Sequence, residues 1–125
     1  MKPNTSKGSP LRRLFKSFHY AFRGIGELFL STPNARIHLV AALGVILLAG
    51  ILGVSKVEWI ILILVIFLVL AMEAMNSALE KLSDRVSEEY SPLIRDAKDL
   101  AAGAVLLVAI AAAIVGLLIF LPYFL

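Results

Sequence analysis

The chain has 125 residues, of which 60% are hydrophobic, and its mean hydropathy is +0.91. Because ordinary soluble domains are roughly 45 to 50% apolar, this composition indicates a membrane protein and excludes a typical water-soluble enzyme. The length indicates one domain, and a small chain that faces lipid has little interior, so we expect self-association. The sequence contains no cysteine, which excludes disulfides, thiolate metal sites and thiol nucleophiles.

The first 31 residues predict a flexible tail followed by a helix at the membrane surface. Residues 1–10 have the composition of a loose tail, and residues 11–31 have helical periodicity. Apolar positions form one stripe of this helix: Leu11, Leu14, Phe15, Phe18, Phe22, Ile25 and Phe29. Basic residues and one histidine lie opposite: Arg12, Arg13, Lys16, His19 and Arg23. The pattern predicts an amphipathic helix in the interface plane, although a helix packed on the protein's own spans fits it equally well.

Three apolar segments, residues 37–54, 57–76 and 100–121, are long enough to cross a membrane. The first has 18 residues without a charge, which at ~1.5 Å per residue reach roughly 27 Å, near the thickness of the hydrocarbon core. Residues 32–34 are predicted to end the preceding helix, and residues 55–56 to form a tight turn after this span. The sequence therefore predicts an all-α membrane protein with a surface helix and three transmembrane helices.

Basic residues are concentrated on one side of these spans. Seven of the 12 lysines and arginines precede the first span against one acidic residue, which gives +6 in the first 36 residues. Such a region attracts nucleic acid or anionic lipid; the neighbouring spans favour lipid, so we expect no nucleic acid partner. Four more lie in the polar segment 77–99, which is predicted to continue the second helix until Ser91 and Pro92 turn the chain, and Lys56 alone lies at the opposite end. The positive-inside rule makes the N-terminus and segment 77–99 cytoplasmic.

A polar face runs along the second span from inside the membrane to the cytoplasm. Glu73 lies about one turn inside the end of the span, where a carboxylate indicates a functional site or else marks the membrane boundary. Asn76, Glu80 and Asp84 follow at +3, +7 and +11, within an arc of about 80° on a helix. Glu73 and Glu80 are ~10 Å apart along the axis, so they suit different roles. Glu80 is placed for a hard cation that also holds phosphates, such as Mg²⁺, and Glu73 for deprotonating a lipid hydroxyl.

The third span begins with residues that favour phosphate binding and close helix packing. Lys98 is a candidate phosphate ligand or a membrane anchor, and the small residues at 101–104 allow helices to approach closely. His19 and His38 are isolated, which favours interfacial or packing roles over ligand roles. The phosphate-binding motifs of common soluble folds, such as GxxxxGK[ST] or a kinase glycine-rich loop, are absent from the sequence. Any nucleotide site must therefore be of another kind.

The polar face belongs to a longer motif that resembles the signature of the small prokaryotic diacylglycerol kinase family, which includes undecaprenol kinases. The resemblance covers nearly the whole chain after residue 11. It is carried by Glu73-Ala74-Met75-Asn76-Ser77-Ala78-Leu79-Glu80 with Asp84, by Glu89-Tyr90, by Ala97-Lys98-Asp99 with Ala101-Ala102-Gly103-Ala104-Val105-Leu106, and by Tyr20, Arg23 and Gly24.

The resemblance implies a homotrimer in a bacterial inner (plasma) membrane that uses MgATP to phosphorylate a lipid alcohol. It implies that Glu73 is the catalytic base, that Glu80 binds Mg²⁺ and that Asn76 organises metal and phosphate. The nucleotide-binding residues that it implies, Asn76 included, are Arg13, Tyr20, Asn76, Asp84, Lys98 and Asp99.

The chain also departs from the family pattern. Ser83 replaces a usual aliphatic residue, and Thr32 stands where the family usually has a second metal-binding glutamate. Glu27 or a water would fill that place, or metal binding differs. The acceptor is undecaprenol or diacylglycerol; Arg36-Ile37-His38 and Glu58-Trp59 look more like the undecaprenol kinase branch. A rival hypothesis is a non-catalytic membrane protein that docks a partner through its acidic helix face.

The distribution of basic residues predicts the topology. Reporter tags at residue 1 and within residues 86–92 are expected to be cytoplasmic, and a tag after Leu125 is expected on the far side, because eleven of the 12 basic residues lie on one side of three spans. Accessibility of each tag to a membrane-impermeant reagent in intact cells measures this. A cytoplasmic tag after Leu125 would contradict the three-span topology.

Overall fold

The computed structural model of the chain describes residues 8–86, 89 and 91–125. These residues form four helices, α1 (Pro10–Ser31), α2 (Pro33–Leu52), α3 (Lys56–Val86) and α4 (Pro92–Phe124), and no strand. The prediction of an all-α fold with three long apolar helices is confirmed, since α2, α3 and α4 are each long and apolar enough to span a membrane. Most of the predicted tail, together with Glu88 and Tyr90, lies outside the described residues.

A single extended residue joins α1 to α2. Thr32 has φ −119° and ψ 102°, and it caps both the end of α1 and the start of α2. Pro33 occupies the first turn of α2, where its fixed φ suits a helix and its missing N–H is not needed. The first helix ends where the sequence predicted a break: α1 stops at Ser31, Thr32 is extended, and Pro33 and Asn34 lie in the first turn of α2. Helix α2 thus begins four residues before the predicted span.

The turn between α2 and α3 is built from two local devices. Gly53 adopts φ 65° and ψ 48°, and its N–H donates to the Ala49 carbonyl at 3.0 Å, which ends α2. Ser55 and Glu58 then form a reciprocal cap. The Ser55 N–H donates to Glu58 Oε1 at 2.9 Å, and the Glu58 N–H donates to Ser55 Oγ at 3.2 Å. A tight turn therefore joins the two spans, but it occupies residues 53–55, and Lys56, which the sequence placed in the turn, is the first residue of α3.

Small and apolar residues at seven-residue intervals form the contacts between helices. On α2 the buried residues are Ala35, Ala42 and Ala49, and on α3 they include Leu62, Val69 and Ser83. A strict seven-residue repeat keeps one seam facing its neighbour as helices wind around each other, and alanines let α2 approach closely. Most large apolar side chains are exposed on the single chain, as expected where lipid or another copy covers them.

Helices α3 and α4 form the most extensively packed pair, and polar contacts fix its two ends. Lys98 Nζ lies 2.7 Å from Asp84 Oδ1, and Tyr123 Oη donates to Glu58 Oε1 at 2.5 Å. These contacts are roughly 39 Å apart along α3, more than the ~30 Å hydrocarbon core. Because α3 continues to Val86, its polar end extends beyond the apolar part, as the sequence predicted.

The contact between Thr32 Oγ1 and Ser77 Oγ, at 3.0 Å, predicts that cysteines at these positions form a disulfide. The Thr32→Cys/Ser77→Cys variant is expected to lose both free thiols on mild oxidation and to run as a monomer in denaturing gels, because oxygens this close imply suitable Cβ separations. Maleimide labelling followed by mass measurement checks this against a cysteine-free background. The matched pair Ser17→Cys/Ser77→Cys should keep both thiols; equal oxidation of the two pairs would contradict this packing.

Candidate active site

A polar cavity of about 330 Å³ lies between the junction of α1 and α2 and the polar face of α3. Glu73, Asn76, Glu80 and Asp84 all line it, so the face predicted from their spacing exists as one surface. The other lining residues come from both sides of the junction and from α3: Ser31, Thr32, Pro33, Asn34, Ser77 and Lys81. The polar face of α3 therefore borders a space that is large enough for the polar groups of a ligand.

Two buried acceptors in this cavity have no hydrogen-bond partner within the part of the chain that the structure describes. Glu73 is 2% exposed, and its Oε2 has no hydrogen bond among the described residues; the same is true of Asn76 Oδ1, one turn further along α3. Burying such oxygens without a partner costs roughly 1–3 kcal/mol each. Unpaired buried acceptors at a cavity wall are typical of sites that receive a donor or a cation from a ligand.

Hydrogen bonds fasten the α1–α2 junction to α3 beside the cavity. The Thr32 and Ser77 hydroxyls share a hydrogen bond, and Lys81 Nζ lies 3.1 Å from Glu27 Oε1 and 3.4 Å from Ser31 Oγ. The Lys81 ammonium lowers the pKa of Glu27, first through its hydrogen bond and then through its charge. Glu27 therefore pairs with Lys81 and is not among the residues that line the cavity.

The α3–α4 pair brings a lysine to the outer end of the cavity. Lys98 of α4 forms its 2.7 Å ion pair with Asp84, which lines the cavity. Both side chains are partly exposed, so solvent screens their attraction, and the pair positions charge more than it stabilises the fold. An ammonium group at this end is placed to neutralise phosphate oxygens.

The remaining predicted nucleotide ligands lie away from this cavity in the single chain. Asp99 lines a separate groove on α4 with Asp96 and Gly103. Arg13 and Tyr20 are exposed on α1, and Arg13 Nη2 donates to the Gly8 carbonyl at 3.4 Å. Neither Arg13 nor Tyr20 is among the residues that line the polar cavity. Their nucleotide-binding roles stay predictions.

Sequence reasoning missed several residues of the site. His38, which the sequence favoured as a packing or interfacial residue, has Nε2 3.4 Å from Glu73 Oε1. Ser77 lay inside the motif but was given no role, and Lys81 was counted only for its charge. His38 could have been singled out as the one titratable residue in the first predicted span. Its contact with Glu73 could not be predicted, because it depends on how α2 packs against α3.

The donor set fits a hard divalent cation that is shared with phosphates. The cavity offers carboxylate and amide oxygens from Glu80, Asp84 and Asn76, with the Asn76 oxygen unpaired. No group of three His, Asp or Glu side chains close enough to enclose a metal occurs within residues 8–86, 89 and 91–125. Mg²⁺ typically binds through one or two carboxylates plus substrate phosphates and waters, so such a cluster is not required.

The fold and the site together define an integral membrane protein with a buried carboxylate at the membrane end of a polar, phosphate-compatible cavity. The family model "Prokaryotic diacylglycerol kinase" matches residues 19–120. The undecaprenol kinase of Bacillus subtilis strain 168 is 41% identical over 112 residues, covering 90% of this chain and 91% of that protein. The diacylglycerol kinase of Synechocystis sp. strain PCC 6803 is 41% identical over 130 residues, covering 97% and 73%. That of Escherichia coli K12 is 33% identical over 102 residues, covering 82% and 84%.

The chain therefore belongs to the prokaryotic diacylglycerol kinase family and is a lipid kinase. This confirms the resemblance drawn from the motif around Glu73, and it sets aside the rival hypothesis of a non-catalytic docking protein.

Proposed function

We propose that this protein transfers the γ-phosphate of ATP to the hydroxyl of a membrane lipid alcohol at the cytoplasmic face of the bacterial inner membrane. The observation that carries this is the buried Glu73 carboxylate, whose unpaired Oε2 lies on the wall of a polar cavity. A lipid hydroxyl that enters from the bilayer meets this carboxylate first. The phosphates of a nucleotide meet Glu80, Asp84 and Lys98 further out.

In the proposed reaction Glu73 acts as general base. As the acceptor oxygen forms its bond to the γ-phosphorus, its proton passes to Glu73 and the bond between the γ-phosphorus and the bridging oxygen breaks, which leaves ADP and the lipid phosphate. Phosphoryl transfer depends mainly on positioning and on neutralising charge. Lys98, once drawn from Asp84, supplies one positive charge. Mg²⁺, held by Glu80 with help from Asn76, would neutralise phosphate oxygens.

The membrane orientation and the assembly are part of the proposal. The basic residues of the N-terminal region and of segment 77–99 support placing the cavity on the cytoplasmic side. A homotrimer is supported by the many exposed apolar side chains of the single chain and by the resemblance of its motifs to the family. We propose that Arg13, Tyr20 and Asp99 bind nucleotide in the assembled protein.

The proposed roles predict different defects for two carboxylates on one helix. In bilayers with MgATP and lipid alcohol, Glu73→Gln is expected to lower kcat by about 10²-fold or more, because it removes the base, with nucleotide affinity retained. Glu80→Gln is expected to raise the Mg²⁺ concentration needed for half-maximal rate. Transfer of labelled γ-phosphate to lipid measures both.

Glu58→Gln is the matched control, because it changes a carboxylate at the opposite end of α3 and keeps an acceptor for Tyr123; its rate should be near normal. Near-normal turnover of Glu73→Gln would refute the assigned base. Absence of labelled lipid phosphate with the unaltered protein, for every acceptor tested, would refute the proposed function.

For the acceptor we propose undecaprenol. The relatives include an undecaprenol kinase and a diacylglycerol kinase at the same 41% identity, so overall similarity does not separate them. The local resemblance of Arg36-Ile37-His38 and Glu58-Trp59 supports undecaprenol. The kcat/KM for undecaprenol is expected to exceed that for diacylglycerol in the same bilayer, since this ratio reports differential transition-state binding. A preference for diacylglycerol would contradict the acceptor and leave lipid kinase activity standing.

A further inference from the structure

His38 of α2 approaches the buried carboxylate of α3. Its Nε2 lies 3.4 Å from Glu73 Oε1, with the His38 side chain 28% exposed and that of Glu73 3% exposed. The separation is longer than a formed hydrogen bond, but catalytic hydrogen bonds are commonly long in the free enzyme and shorten when substrate is bound. The two oxygens of the Glu73 carboxylate therefore have different surroundings: Oε1 faces the His38 imidazole, and Oε2 has no hydrogen-bond partner in the described part of the chain.

The pair lies where two cavities of opposite character meet. His38 lines an apolar cavity of about 110 Å³ between α2, α3 and α4, whose other lining residues, such as Ala41, Val65 and Gly116, are apolar or glycine. Glu73 lines the polar cavity that leads to Glu80. A lipid alcohol has an apolar chain and a polar end, so this junction is where its hydroxyl would meet the base.

Packing alone does not explain a histidine at this position. The surrounding cavity would accept an aliphatic side chain, and a polar residue inside a span is costly and indicates function by default. No other ionisable side chain lines that cavity among the described residues. His38 is thus the side chain on α2 that is placed to orient Glu73.

We propose that His38 is a positioning residue for the base: its Nε2–H donates to Glu73 Oε1 and so holds Oε2 toward the acceptor hydroxyl. This inference rests on the proposed lipid kinase mechanism and assigns a role to a residue outside the motif on α3. It requires a donor at the position of Nε2, and it requires that His38 act through Glu73.

Three substitutions at this position test the requirement for a donor. His38→Leu is expected to lower kcat by about 10- to 100-fold, the range that misplacing a catalytic group produces, with the KM for ATP unchanged. His38→Gln is expected to recover most of the rate, because its amide N–H reaches about as far as Nε2. His38→Asn carries the same amide on a shorter side chain and is expected to stay as slow as His38→Leu. Equal rates for the Gln and Asn variants would overturn the proposal.

Combining His38→Leu with Glu73→Gln tests whether the histidine acts through the carboxylate. In the Glu73→Gln background, His38→Leu is expected to change the residual rate by less than about 2-fold, because residues that act as a unit are not additive. The same fold-loss in both backgrounds would show a packing role and overturn the proposal. A fully active His38→Leu variant would also overturn the positioning role, but it would not contradict the proposed lipid kinase function. If the unaltered protein showed no lipid phosphorylation at all, the proposed function itself would be refuted.

Discussion

Burial of the Glu73 carboxylate is the constraint on which the rest of the structure depends. Removing a carboxylate from water inside an apolar bundle costs several kcal/mol unless other groups compensate for the lost hydration. Here the compensation is partial: His38 approaches one oxygen, and the other faces no partner within the described residues. A site left incomplete in this way is suited to a ligand that supplies the missing hydrogen bond.

The register of α3 against α4 decides which residues of α4 lie beside the polar cavity. Asp84 with Lys98 at one end, and Glu58 with Tyr123 at the other, hold α3 and α4 in a fixed antiparallel alignment. A slip of one turn between them would move Glu73 by about 5.4 Å relative to α4 and would separate Lys98 from Asp84, which lines the cavity. The two polar pairs therefore help to align the helices around the site, although each contributes little to the free energy of folding.

Hydropathy and helical spacing predicted much of this molecule because both are local properties of the chain. The three apolar helices follow from segment length, and the polar face from the +3, +7 and +11 spacing after Glu73. What the sequence could not supply are contacts between helices. The approach of His38 to Glu73 and the bond of Thr32 to Ser77 depend on the rotation of α2 and α1 against α3. The start of α2 at Pro33, ahead of the apolar segment, could not be read from hydropathy, because Pro and Asn are turn residues that also suit a helix start.

The single extended residue between α1 and α2 fixes how α1 is rotated about its own axis. With Thr32 alone as the connection, and with its side chain bonded to Ser77, α1 has no slack with which to turn about its own axis. Adding one residue to the end of α1 would rotate its faces by about 100° relative to α2. Glu27 would then be carried away from Lys81. The length of this connection thus determines which face of α1 is turned toward α3. It is therefore expected to tolerate an inserted residue far less than a surface loop would.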